Sequence, residues 1–196
     1  MIWQALGLII LAAFYGCYFT KMLLQRRKGI MTDQMGKGKT GFVKAIEMLM
    51  KVATYLVAIV EIVSILWGTA TLPSGVRTLG AVLGVSGVVV FVVSMTTMRD
   101  SWRAGVSQSD KTELVTGGIY RFSRNPAFLG FDLVYLGILL MFFNFTLLAA
   151  SAFAGLMLHL QIVNVEEEHL IAAFGDDYLA YRKQVRRYFG RRKQVK

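Results

Sequence analysis

The sequence predicts an all-α integral membrane protein with five transmembrane helices and a charged helical tail. Three observations carry this. The chain is 55% hydrophobic but only 17% charged. Its apolar residues come in blocks of about 20, the length of a bilayer-spanning helix. Its basic residues collect in three clusters that flank those blocks.

The first block, Ile2 to Leu24, has no charged segment before it and no small-residue cleavage site after it, so it reads as a retained span, 2–24. Lys21, Arg26, Arg27 and Lys28 close it. Gly29 to Thr40 is a polar, glycine-bearing loop. Helix resumes near Phe42 and leads into a span at 48–72. Pro73-Ser74-Gly75 marks a tight turn, so the next span, 76–98, forms a hairpin with it. Arg99 to Asn125 is the one long polar segment between spans. The apolar run from Pro126 to Val165 is twice the length of one crossing, and Asn144 divides it into spans 126–143 and 145–165. The tail, 166–196, is charged and amphipathic. The whole chain reads as a single membrane-embedded domain.

Five spans put the basic clusters after spans one and three, Lys111 among them, and those of the tail, including Lys193 and Lys196, on one side. Only Arg77 falls on the other. The positive-inside rule then sets the N-terminus outside and the C-terminus in the cytoplasm. With charges arranged this way, the net charge of +10 fits topology and anionic lipid rather than nucleic acid. The lone Cys17 excludes a disulfide framework and a cysteine metal site. No histidine pair stands at ligand spacing, so no metal is expected.

Polar residues inside spans are costly in lipid and should face the interior or a cavity. Glu61 and Asp132 are the two intramembrane acids. Each is read either as bonded to a neighbouring helix or as part of a functional site. His159 reads more simply as a packing residue.

The chemistry-bearing stretch is Gly117 to Gly130, GGIYRFSRNPAFLG. Gly117-Gly118 permits positive φ, Pro126 suits the first turn of a helix, and Asn125 is a candidate N-cap. With Arg121 and Arg124 beside that helix start, the stretch is either an anion site or a capped helix with topology signals. In the tail, Glu166, Glu167 and Glu168 leave the last span without a linker. They are either a solvated face or a place for a cationic ligand. A Gly175-Asp176-Asp177 break precedes a second helix whose apolar face carries Tyr178, Tyr181 and Val185, followed by Arg187. Together with Ser101-Trp102-Arg103 these pieces suit either a zwitterionic cofactor or a phospholipid headgroup.

Two motifs then stand in order. Gly118-x-Tyr120 with Arg124-Asn125-Pro126-x-Phe128-x-Gly130 resembles the signature of the isoprenylcysteine carboxyl methyltransferase family, much of which is shared by phospholipid methyltransferases. Glu166, Glu167, Leu170, Phe174, Gly175, Tyr178, Tyr181, Val185 and Arg187 resemble that family's second motif. The short chain is similar to the small prokaryotic members. Asn125 stands where many members have histidine, and Phe128 where many have tyrosine. This removes a titrating ring and a hydroxyl.

The resemblance implies S-adenosylmethionine as cofactor, with S-adenosylhomocysteine as product, and a lipid-like acceptor drawn from the bilayer. Gly118, Tyr120, Arg124, Asn125, Pro126, Phe128, Glu166 and Glu167 would border the cofactor. Glu167 and Arg187 are the candidate catalytic residues, and Trp102, Asp132 and Arg187 the candidate substrate residues. An isoprenoid carboxylate or similar acceptor is favoured over an amine. The alternatives are a phospholipid N-methyltransferase, an NADPH-dependent enzyme resembling sterol reductases, and a non-catalytic lipid-binding protein. A prokaryotic member would sit in the inner membrane. The sequence is silent on oligomeric state.

Overall fold

The apolar blocks become helices because a backbone in hydrocarbon must satisfy its own hydrogen bonds. In the computed structural model, which describes residues 1–69, 71–105 and 113–192, they form α1 (Ile2–Arg27), α2 (Gly41–Trp67), α3 (Ser74–Met98), α4 (Pro126–Met141), α5 (Phe145–Gln161) and α6 (Glu167–Gln184). Short 3₁₀ turns occupy Arg99–Ser101 and Gly118–Arg121. One π turn, Ile162–Glu166, joins α5 to α6. Among the described residues there is no strand. Lys111, Lys193 and Lys196 lie outside the described residues.

Among the described residues four helices are long and apolar enough to cross a membrane, the fourth being α5 continued through the π turn into α6, and α4 is a shorter apolar helix of 16 residues. At 1.5 Å per residue α4 spans about 24 Å, less than a hydrocarbon core of about 30 Å. It is enclosed by its neighbours, with Val134, Tyr135, Ile138 and Met141 all buried.

The expected second span overruns its helix. α2 stops at Trp67, five residues before Leu72, because Gly68 takes up φ 68 and ψ 33 and ends the helix in the left-handed conformation open to glycine. The following threonines tie that end to the α4–α5 turn: Thr69 donates to the Phe142 carbonyl at 2.7 Å and Thr71 to that of Phe143 at 3.1 Å. Asn144 makes the expected division. Its side-chain oxygen accepts from the Leu147 amide at 2.8 Å and caps α5. Arg77, the lone basic residue of that end, lies over the rings of Trp3 and Phe142 and donates to the Met141 carbonyl.

The closest packing is between α3 and α4. A Cβ built on Gly137 would lie 2.5 Å from the Gly84 amide nitrogen, and one built on Gly80 would lie 2.6 Å from the Gly137 carbonyl oxygen. Gly87 and Gly130 repeat this one turn and more away. Small residues at such spacing let two backbones touch, which is how helices associate in lipid, where burial alone gives little advantage.

The polar segment after α1 is a folded strap. Asp33 pairs in a parallel bridge with Ala104, Gln25 donates to the Trp102 carbonyl, and Thr32 donates to Gln25. Lys51 pairs with Asp33, and buried Lys39 with buried Glu47. The strap thereby closes over the end of the bundle where α1 and α3 stop and α2 and α4 begin.

Candidate functional site

The glycine-rich stretch and the tail meet at the N-terminal end of α4. Gly118 has φ +56, the left-handed conformation its type allows, whereas Gly117 does not. The turn it opens presents the Tyr120 carbonyl to the Tyr181 hydroxyl at 2.6 Å. Burial pushes the Tyr120 phenol itself up from its ordinary pKa. Beyond α6 the chain doubles back. The Arg124 amide donates to the Arg186 carbonyl, the Gly190 amide to that of Phe122, and the Asn125 side chain to that of Arg187 at 3.1 Å. Asn125 thus occupies the N-cap position of α4 without capping it by its side chain. Its side-chain nitrogen instead ties the start of α4 to the tail.

At the centre lies Glu167. Arg187 reaches it through two parallel bonds, Nε to Oε1 at 2.8 Å and Nη2 to Oε2 at 3.1 Å, the geometry in which guanidinium and carboxylate bind most strongly. Arg124 pairs with Oε1 at 2.9 Å, and Arg182 stands 4.0 Å from Oε2. Arg124 also donates to the Tyr178 hydroxyl at 2.7 Å and lies against that ring. One carboxylate therefore faces three guanidiniums, and the cluster carries excess positive charge. The bond to Glu167 raises the pKa of Arg187 above its ordinary value.

Sequence reasoning placed Glu166 and Glu167 side by side. Consecutive helical residues point about 100° apart, so the two face different sides. Glu167 is buried in the arginine cluster, while Glu166 lies near Gln161, Glu47 and Lys39 on the side of the strap. Two buried polar atoms flank the π turn without partners, Gln161 Oε1 before it and Arg124 Nε against the residue after it.

A second feature adjoins the first turn of α4. An apolar cavity of about 330 Å³ is walled by Trp102, Phe128 and Phe131, with Met35 of the strap, Tyr15 of α1 and Tyr55 of α2. Of the candidate residues, the cavity takes Trp102 and Phe128. The ionic cluster takes Arg124, Asn125, Glu167 and Arg187. Arg187 is therefore not at the cavity wall. Pro126 starts α4 as expected. Asp132 joins neither group: it is half-buried beside Gly155 of α5.

Two tyrosine roles escaped the sequence reading. Tyr178 and Tyr181 pack inward and bond the first motif. Tyr188 meets His159 Nδ1 at 2.5 Å and stacks on its ring, so this histidine has a partner outside the bilayer helices. Burial raises the Tyr188 phenol's pKa, and the Asp132 carboxylate nearby adds to the effect.

These features define a class, an integral multi-pass helical membrane protein with an ionic cluster and an apolar cavity at one end of its bundle. The phospholipid methyltransferase profile matches residues 76–177, just over half of the chain. The chain belongs to the phospholipid methyltransferase family. It is also similar to the protein-S-isoprenylcysteine O-methyltransferase of Schizosaccharomyces pombe, 36% identical over 72 residues, which are 37% of this chain and 30% of that one. The protein of the same name from Dictyostelium discoideum is 29% identical over 108 residues, 54% of this chain and 46% of that one. The matches thus span less than half the length of these relatives.

Proposed function

We propose that the protein is an S-adenosylmethionine-dependent methyltransferase that acts on a lipid-like acceptor, an isoprenoid carboxylate or similar, at the cytoplasmic face of the membrane. The observation that carries this reading is a juxtaposition. Phe128 walls an apolar cavity, and Arg124, one turn before it, belongs to the Glu167 cluster. A greasy acceptor and a polar methyl donor would meet at the start of α4.

The donor set suits the cofactor's amino-acid end. The cluster's excess positive charge and the unpartnered Arg124 Nε would receive its carboxylate, and Glu166 with Gln161 Oε1 its ammonium. Gly118, Tyr120, Asn125, Pro126 and Phe128 would border the remainder. Bound there, S-adenosylmethionine supplies an electrophilic methyl group on a positively charged sulfur and leaves as S-adenosylhomocysteine.

The chain's own residues then have mostly positional tasks. A carboxylate acceptor is already nucleophilic and needs no general base. Holding it in line with the methyl group accounts for the larger share of the rate. Arg187 and Arg182 orient the acceptor's anionic end. Glu167 holds both arginines and Arg124 in place. With both oxygens engaged, it serves as an anchor and not as a proton acceptor. Trp102 and Phe128 exclude water around the reacting group. An amine acceptor would need a proton acceptor, and Asp132, the one carboxylate of α4, would be the candidate.

Calorimetry on detergent-purified protein tests this. S-adenosylmethionine and S-adenosylhomocysteine should bind and NADPH should not. If neither S-adenosyl compound binds, the reading fails.

A further inference from the structure

The chain after α6 has an inner and an outer face. Val185 and Arg191 pair in an antiparallel bridge, and the Arg186 amide donates to the Gly190 carbonyl at 2.9 Å. Residues 185–191 therefore form a tight hairpin. Gly190 closes it at φ +100, a conformation that other residues avoid. Two residues of the hairpin turn inward, Arg187 onto Glu167 and Tyr188 onto His159. Phe189, between Tyr188 and Gly190, turns outward and is 73% exposed.

A second exposed ring is tied to the first. The Gly190 amide donates to the Phe122 carbonyl at 2.7 Å, and Phe122 is 54% exposed. Their chain neighbours Arg121, Arg186, Arg191 and Arg192 are all exposed as well. No acid stands between Glu113 and Asp132, nor anywhere after Asp177, so neither segment offsets its own charge.

A lone exposed phenylalanine is ordinary. Two held together by a backbone bond and rimmed with arginine mark a contact surface. Depth points to the bilayer. Tyr188 meets His159 in the last turn of α5, so the hairpin lies level with the end of a membrane-crossing helix. At that level aromatic rings enter the acyl boundary and guanidiniums meet headgroup phosphates.

We propose that this hairpin docks on anionic phospholipid, with Phe122 and Phe189 in the leaflet and the four arginines on lipid phosphates, and that docking holds Arg187 on Glu167. The docking is independent of the methyltransferase reading, whereas its effect on cofactor affinity rests on that reading.

The test places the full chain in nanodiscs of phosphatidylcholine alone and of an equal mixture with phosphatidylglycerol. Amide hydrogen exchange of residues 185–192 is read by mass spectrometry. Exchange should be about tenfold slower in the mixed discs, with α3 unchanged, and the difference should vanish in about 1 M salt. With Arg121→Gln, Arg186→Gln, Arg191→Gln and Arg192→Gln combined, the ratio should fall to about one. In Phe189→Ser, exchange should be at least about threefold faster in both kinds of disc. The salt series keeps the test decisive if the combined variant does not fold. Equal exchange in the two kinds of disc overturns the proposal, and so does a difference that survives salt or the arginine changes. S-adenosylhomocysteine titrated on the same discs should bind at least about threefold more tightly in the mixed ones. Slowed exchange with equal affinity overturns the link to Arg187. Slowed exchange with no binding in either kind of disc overturns the methyl-transfer reading alone.

Discussion

The two long faces of α4 are built on opposite plans. Toward α3 it shows Gly130, Val134 and Gly137, and the backbones meet with no room for a methyl group. Toward α1 and α2 it shows Phe128 and Phe131, which wall a void. The first face tolerates no displacement, because backbone atoms cannot turn aside as a side chain can. The second leaves space that only a ligand would fill. A helix too short to be fixed by the bilayer is thus fixed by its neighbour, and its other face is free for recognition.

The comparison can be broken most severely at the seam. Gly137→Leu should abolish the folded protein, since the new side chain would strike the α3 backbone and overpacking of even a milder kind costs about 1–3 kcal/mol. Size-exclusion chromatography in detergent should show no monodisperse peak. The next effect belongs to the anchor at the helix's first turn. Glu167→Ala leaves buried Arg124 without its counter-ion, a change that costs about 3–5 kcal/mol for a buried pair. It should also reduce S-adenosylhomocysteine affinity at least about tenfold, read by calorimetry. Unchanged affinity would remove this carboxylate from the cofactor's neighbourhood.

On the cavity face the same kind of truncation should be mild. Phe128→Ala adds to an existing void instead of opening a new one, so its thermal unfolding in detergent should change by only about 1–2 kcal/mol, against about 3–5 kcal/mol for a phenylalanine in a filled core. The larger change should be in KM for the acceptor. The smallest effect is expected beyond the far end of α4. Asn144→Ala removes the cap of α5 and should cost about 1 kcal/mol, with activity unchanged under conditions where the protein stays folded.

Spans were legible because lipid imposes one rule on every residue in them, so hydropathy alone locates α1, α3 and α5 closely. α2 ended early for a local reason, the left-handed Gly68, which averaging over a window hides. The glycine seam was also in the sequence, at Gly80, Gly84 and Gly87 against Gly130 and Gly137, but hydropathy counts these residues as nearly neutral. The two motifs meet at the start of α4. Their internal wiring was hidden, because it depends on the chain after α6 folding back on residues 122–125, a long-range event with no local signature. The partnership of His159 with Tyr188 is of the same kind, with 29 residues between them. The strap over the cavity read only as a polar loop, since its bonds to Ala104 run through backbone atoms common to every residue type.

The π turn at Ile162–Glu166 has a consequence for how this chain tolerates changes in length. Each residue advances an α-helix by about 100°, and a π turn absorbs one residue more than the helix needs. Deleting a single residue from this turn would let it close as regular α-helix with α6 still facing the same way, so Glu167 would keep its arginines and Tyr178 and Tyr181 the first motif. Deleting one residue after the turn, early in α6, would instead swing the rest of that helix by that angle and act on every contact beyond it at once, as a slipped tooth does in a gear.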